Sequence, residues 1–263
     1  MKPYPSLATE LNIPSPRDFS EQVRDLFNER AGVWGSNYMP GGKLTWRLHQ
    51  FCSVLGSLVL PPAEVLDFGC GTGHLAQHLG EHHYVITACD MADRMIVQAR
   101  QAFGDADIAW NALPANWRRL PFVDQSFDAI VASSVMEYVG DLELAFRELA
   151  RVLREGGVLI FNVPNPRNGR RKREEWAKRI TRLAWIRRIA CTIPRIDRYL
   201  TYLGLSSNRF PLSEWESAAG RHGFQRLYDD HRTTKRPLFL FAFQKVRVIQ
   251  KRQDCTSDKA SHF

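Results

Sequence analysis

The run VLDFGCGTGHL, residues 65–75, ends an apolar segment on an acid, Asp67, and follows it with Gly69, Cys70, Gly71 and Gly73. Glycine tolerates left-handed backbone and lets a ligand lie against bare main chain, so this spacing suits a nucleotide-type ligand at the mouth of a strand. A second acid, Asp90 in VITACDMA, ends the next apolar run about 20 residues beyond the glycines. A carboxylate there can accept hydrogen bonds from both ribose hydroxyls. Glycine-rich turns are common in isolation. Here a strand precedes the loop, a helix follows it, and an acid closes the next strand.

A further cluster, SSVMEYVGD at 133–141, carries Glu137 and Tyr138. Glu137 reads either as a working carboxylate or as an anion at a helix start. Tyrosine, with an ordinary pKa near about 10, is a poor base at neutral pH but can hydrogen-bond or cover an acceptor. His231 and His49 are further candidates for moving a proton. The five cysteines, Cys52, Cys70, Cys89, Cys191 and Cys255, are scattered and odd in number. None is paired at metal-ligand spacing, so a reduced cytoplasmic protein without a metal site is expected.

The elements that must carry these residues alternate. Helical spacing of Phe19, Val23, Leu26 and Phe27 predicts a helix over 18–31, and a second is expected over 43–58, ended by Pro61–Pro62. Short apolar runs predict strands at 64–69, 84–90, 127–133 and 158–163, with helices at 73–81, 94–103 and 141–154 between them. Residues 223–229 and 238–244 read as a final antiparallel pair. The expected fold is therefore α/β, a Rossmann-like doubly wound sheet, mostly parallel with an antiparallel last strand, plus N-terminal helices and a helical lid insertion. Its expected organisation is an arm and cap helices at 1–58, a binding domain at 59–245 with the insertion at 165–212, and a disordered tail at 246–263. The first sixteen residues lack the apolar stretch of a secretory signal, and no run is long enough to span a bilayer.

On these motifs the chain resembles the class I S-adenosylmethionine methyltransferases, in particular the small-molecule group that includes the ubiquinone-biosynthesis enzymes. The resemblance covers residues 60–164, with looser echoes at 27–38 and 213–244. An E/D-x-G-x-G-x-G loop separates it from the G-x-G-x-x-G of nicotinamide enzymes. The resemblance implies S-adenosylmethionine as cofactor, with Asp67 orienting its methionine portion, Gly69, Cys70, Gly71 and Gly73 lining it, Asp90 holding the ribose and Met91 packing on the adenine. In NWRRLPFVDQSFDAIV, residues 116–131, it puts Asn116 at an adenine-contacting position and makes Trp117 a stacking surface. Ser133 falls beside the reactive methyl, and Tyr38, in VWGSNY, at a position that closes over the cofactor. Two departures stand out. Tyr138 occupies a position where many relatives carry histidine, and Ser134 one where ubiquinone O-methyltransferases carry an acid, which weakens a metal-assisted mechanism.

Charge is unevenly spread within the net +8. Residues 1–164 hold 13 Lys/Arg against 19 Asp/Glu, whereas 165–198 hold 12 against 3. Within this insertion Trp176, Ile180, Leu183 and Ala190 recur at helical spacing, with Ile186 at the flank and Arg170–Arg173 at the start. Such a helix reads as a lid over an apolar acceptor or as an anchor, through residues 170–190, on an anionic membrane surface. Methyl transfer to the oxygen of a small lipophilic acceptor is the expected activity, in a cytoplasmic or peripheral membrane enzyme. The alternatives are an RNA methyltransferase, since Arg170–Arg173 could meet phosphates, and a cofactor-binding regulatory protein without catalysis.

Overall fold

Seven strands form one sheet: β1 (Glu64–Phe68), β2 (Val85–Asp90), β3 (Ile108–Ala112), β4 (Phe127–Ser133), β5 (Leu153–Pro164), β6 (Phe224–Asp229) and β7 (Leu238–Lys245). Their order is β3-β2-β1-β4-β5-β7-β6, with β1 to β5 parallel and β7 antiparallel to both of its neighbours. The computed structural model describes residues 16–181, 183, 185, 188, 192–229 and 238–246. Eight helices among them bear on the site: α1 (Pro16–Trp34), α2 (Thr45–Leu58), α3 (His74–Gly80), α4 (Asp93–Phe103), α5 (Leu142–Val152), α6 (Gly169–Ile180), α7 (Pro194–Leu205) and α8 (Leu212–Gly220).

Central strands are apolar on both sides because both sides are covered. One face of the sheet packs Leu66, Ile130, Leu159 and Phe161 against Phe146 and Leu149 of α5 and Trp215 of α8. The other sets Val65, Ile86, Val131 and Ile160 against Phe51 and Leu55 of α2, Leu75 and Leu79 of α3, and Ile96 of α4. Chain order reverses between β1 and β4, so their carboxyl ends open a crevice at the switch point. The loop 69–73 and a short 3-10 turn at Met136–Tyr138 border that crevice.

The doubly wound sheet with its antiparallel final pair is as expected. β3 is the strand that the apolar runs do not announce. It is an edge strand in which only Ile108 and Trp110 are buried, between the charges of Asp105 and Asp107 and the polar Asn111. α5 stops at Val152, two residues short of the expected end, and Arg154 leaves it to pair with Asp128. Its start is where the acid predicts, because Asp141 Oδ1 accepts the Leu144 amide at 2.9 Å. Asp141→Ala is expected to cost about 1 kcal/mol and about 2–4 °C of Tm, measurable by calorimetric melting.

The insertion departs from the expected amphipathic helix. Its regular part, α6, ends at Ile180, and the buried residues of α6 are Arg171 and Glu174 rather than the apolar set. Glu174 accepts from Arg171 at 2.8 Å and from Arg209 at 2.9 Å, and Lys178 Nζ donates to the Ser206 carbonyl at 2.8 Å. Trp176 and Ile180 lie about 140° and 180° around the helix from Arg171, so an ionic inner face turns Trp176 to solvent. Leu183 is also exposed, while Ile186 and Ala190 lie outside the described residues. The expected tail lies outside them from residue 247 on. Among the described residues no helix is long and apolar enough to cross a membrane.

Candidate active site

A cavity of about 730 Å³ opens at the switch point, roofed by α1, α2 and α6. It gathers almost every residue singled out from the sequence: Asp67, Gly69, Cys70 and Gly71 from the loop after β1, Asp90 and Met91 from the end of β2, and Asn116 with Trp117. Ser133, Glu137 and Tyr138 come from the end of β4, and Tyr38 from the turn after α1.

The glycines divide into three roles. Gly71 takes φ +55° and faces the cavity beside Trp34. Gly69, at φ +75°, lies so close to Val135 that a β-carbon would stand 2.3 Å from a valine methyl. Gly73 is not among the lining residues. It takes φ +79°, and a β-carbon there would meet the Trp110 ring at 2.5 Å, so it seats α3 on β3 and the cofactor role expected for it is corrected. Cys70 is buried, and its thiol is held well above its usual pKa by that burial and by the Asp90 and Asp67 charges, which makes it a wall and not a nucleophile.

Asp90 holds the loop's shape. Its Oδ2 accepts the Gly71 amide and its Oδ1 the Ala92 amide, both at 2.8 Å. Asp67 is the opposite case. It is buried, and neither carboxylate oxygen has a hydrogen-bond partner. Burial first, and the Asp90 charge second, push its carboxyl up to about 8, against a smaller lowering by the nearby Ala76 amide. Ser133 Oγ and Arg47 Nε, on residues lining the same cavity, are likewise buried without a partner. Unpaired buried polar atoms are costly, and their gathering in one pocket suits a ligand that pairs them. A carboxylate and a guanidinium edge suit a ligand end that bears both an ammonium and a carboxylate.

Arg47 escaped the sequence reading, although it lies two residues from His49. It sits beside Tyr38, whose hydroxyl is raised in pKa by burial against the lowering effect of the Arg47 charge. Tyr38 stacks on His74 at 5.0 Å. His49 itself points away from the cavity, its ring against that of His78 at 5.2 Å, and is set aside as a base. His231 lies outside the described residues. Trp117 packs edge-on against Phe68 at 5.8 Å while lining the cavity, so it serves packing as well as any stacking.

After β4 the chain turns sharply at Ser134, which takes φ +59°. A non-glycine residue pays for such backbone elsewhere, here through its amide, which donates to the buried Asn162 Oδ1 at 2.6 Å. The turn delivers Glu137 and Tyr138. Glu137 is buried and accepts from the Ser206 hydroxyl, and Asn208 Nδ2 donates to the carbonyls of Met136 and Val139 at 2.9 and 2.6 Å. Burial raises the Glu137 pKa, opposed by Ser206, Arg171, Arg209 and Arg47. The carboxylate thus clamps the 206–209 loop onto the turn. Tyr138 packs edge-on against Phe27 at 5.1 Å and near Tyr202 at 6.1 Å. Burial, the Glu137 charge and Tyr202 lift its phenol well above 10, so it is no base near neutral pH and covers the pocket instead.

A methyltransferase-domain family matches residues 66–161. An uncharacterized methyltransferase of Bacillus subtilis, YodH, is 35% identical over 100 residues, 38% of this chain and 42% of that one. A malonyl-[acyl-carrier protein] O-methyltransferase of Erwinia pyrifoliae is 32% identical over 150 residues, 57% of this chain and 55% of the relative. The chain thus spans about half the length of the curated relatives it matches. Among solved structures, a Burkholderia thailandensis 1,6-didemethyltoxoflavin-N1-methyltransferase is similar at TM-score 0.58 and 13% identity, covering 89% of this chain and 92% of the other. An S-adenosylmethionine-dependent methyltransferase from Mesorhizobium loti is similar at TM-score 0.53 and 17% identity, covering 73% and 96%. Residues 66–161, which include the acid-flanked glycine loop, thus carry a methyltransferase domain, set in a 3-2-1-4-5-7-6 sheet whose fold is similar to that of S-adenosylmethionine-dependent methyltransferases.

Proposed function

We propose that the protein methylates an oxygen of a small, largely apolar acceptor whose reacting group is already ionised, a carboxylate being the best fit. The observation that carries this is the composition of the cavity beside Tyr138. Phe27, Tyr138 and Tyr202 give it an aromatic wall, Arg30, Arg170 and Arg171 bring guanidinium groups to it alongside the carboxylates of Glu137, Asp141 and Glu143, and the described lining holds no histidine. A carboxylic acid, ordinarily titrating near about 4, needs no base at neutral pH, whereas a phenol near about 10 would. The malonyl group named in several relatives ends in such a carboxylate.

When bound, S-adenosylmethionine supplies an electrophilic methyl on a positively charged sulfur. Asp67 would take its ammonium and Arg47 its carboxylate, Asp90 the ribose hydroxyls, and Met91, Asn116 and Trp117 the adenine. Ser133 lies at the end of β4 beside the methyl's expected position. Tyr138 and Phe27 wall off the acceptor and exclude water, and alignment of donor and acceptor supplies much of the rate. Arg171, held by Glu174 and close to Glu137, draws the anionic end of the acceptor into line.

The test is transfer of tritiated methyl to a panel of carboxylic acids, phenols, amines and RNA, followed by mild alkali. A methyl ester releases label as volatile methanol, whereas ethers, N-methyl groups and base-methylated RNA retain it. Alkali-labile product is expected. Alkali-stable product from phenols, or labelled RNA, would overturn the acceptor assignment, and intact cofactor binding without any transfer would mark a non-catalytic protein. Arg171→Gln is expected to raise the acceptor KM about tenfold or more, the loss of one charge-assisted hydrogen bond, while cofactor affinity stays within about twofold. Steady-state kinetics and calorimetry read the two separately.

A further inference from the structure

Where α2 meets the end of α3, three residues able to bind metal come together, with a fourth, His49, beside them. Cys52 and His49 stand one helical turn apart on α2, and His78 and His82 one turn apart at the end of α3 and just after it. Cys52 and His49, three apart on α2, share a helix face, and the contacts that follow bring His78 and His82 to it. One ligand atom each from Cys52, His78 and His82 lies within 4.8 Å of the others. The ring of His49 is 5.2 Å from that of His78 and perpendicular to it, and the His78 and His82 rings are 4.7 Å apart.

His82 is also oriented as a ligand should be. Its Nδ1 lies 2.8 Å from the His78 carbonyl. A carbonyl can only accept, so Nδ1 carries the proton and Nε2 keeps its lone pair, the arrangement by which a second-shell bond fixes a metal-binding imidazole. His78 Nδ1 lies 3.7 Å from the Glu81 carboxylate, within ion-pair range but beyond a hydrogen bond.

We propose that Cys52, His78 and His82, with His49 as fourth ligand, bind one zinc ion that staples the cap helix α2 to α3. One thiolate and imidazoles are a zinc donor set, and its tetrahedral geometry needs ligand atoms about 3.3–3.6 Å apart. Zinc binding would contract the present spacing of up to 4.8 Å to that range. Cysteine spacing alone conceals the site, because the four ligands come from two segments 26 residues apart, Cys52 to His78. The staple has a consequence for the cofactor cavity: α2 begins with Thr45, Trp46 and Arg47, of which Trp46 and Arg47 line it, and α3 follows directly on the glycine loop.

Cobalt(II) titration of tag-free, reduced full-length protein tests the proposal, because a thiolate ligand gives a near-ultraviolet charge-transfer band and tetrahedral cobalt gives visible bands. One cobalt per chain with both signatures is expected, displaced by one equivalent of zinc. Loss of an outer-shell partner alone costs about 10–100-fold in metal affinity, so Cys52→Ser and His82→Gln should each lose at least about 100-fold. His82 is exposed, so His82→Gln decides the matter even where Cys52→Ser fails to fold. Absence of binding, a spectrum without the thiolate band, or a band that survives His82→Gln would overturn the site.

Discussion

Asp90→Ala is expected to weaken S-adenosylmethionine binding about 30- to 100-fold. The substitution removes more than a ribose acceptor. Both carboxylate oxygens already accept backbone amides, from Gly71 and from Ala92, so the side chain also sets the curve of the glycine loop and the start of α4. Charge-assisted hydrogen bonds contribute about 1.5–3 kcal/mol each, and an amide left unpaired in a pocket costs about as much. Water reaches part of the loop and recovers some of this, leaving roughly 2–2.8 kcal/mol, with about 1.4 kcal/mol per tenfold in affinity. Isothermal calorimetry on a variant with a native circular-dichroism spectrum is the measurement. Unchanged affinity would remove Asp90 from the cofactor site. Asp90→Asn, which keeps one acceptor oxygen, should fall between the two.

Legibility in the sequence follows how local the cause is. The loop after β1 is legible because buried strand, left-handed glycines and flanking acids are all local requirements, and Asp67, Gly69, Gly71 and Asp90 do meet at one cavity. Gly73 was placed there by the same pattern, yet the demand on it comes from Trp110, whose strand β3 is at the sheet edge and carries little apolar signal. Arg47 has no local mark at all. Its place over the pocket depends on how α2 packs on α3 and the sheet, a nonlocal outcome.

The basic insertion shows the same limit from the other side. Charge and periodicity alone predict a polar outer face and an apolar inner one. The structure inverts this because Glu174, on the same face as Arg171, finds Arg209 thirty-five residues away in the sequence. A buried carboxylate with two guanidinium partners holds α6 inward by its ionic face, and the indole of Trp176 is left outside. Pairing of this kind is invisible to any window of one helix. It also moves Arg171 from an expected surface patch into the lining of the cavity, on which the proposed carboxylate preference rests.

Asp67 gives the second large effect, on pH dependence. With its carboxyl pushed up to about 8, Asp67 is mostly protonated in the free protein at pH 6–7, whereas an ammonium ligand needs the carboxylate. Binding should therefore release a proton, and affinity should rise with pH by up to about tenfold per unit below the folded pKa. The window to test is pH 5.5–7, below the about 7.7–8 range in which an α-amino group itself titrates. Calorimetry in buffers of different ionisation enthalpy should show close to one proton released per cofactor bound. Asp67→Asn should flatten the profile and abolish the release while weakening binding at pH 7 about tenfold or more, the loss of a charge-assisted partner. Stability of the free protein carries the opposite sign. The unfolded chain gives up this proton near about 3.9 and the folded chain keeps it to about 8, so between those values the unfolded state binds fewer protons and stability falls as pH rises. Asp67→Asn should therefore be more stable than the parent without cofactor at pH 8, and the advantage should shrink toward pH 4. A parent affinity independent of pH across 5.5–7, with no proton released, would show that Asp67 is already ionised before the cofactor arrives and that its charge is balanced by the protein alone.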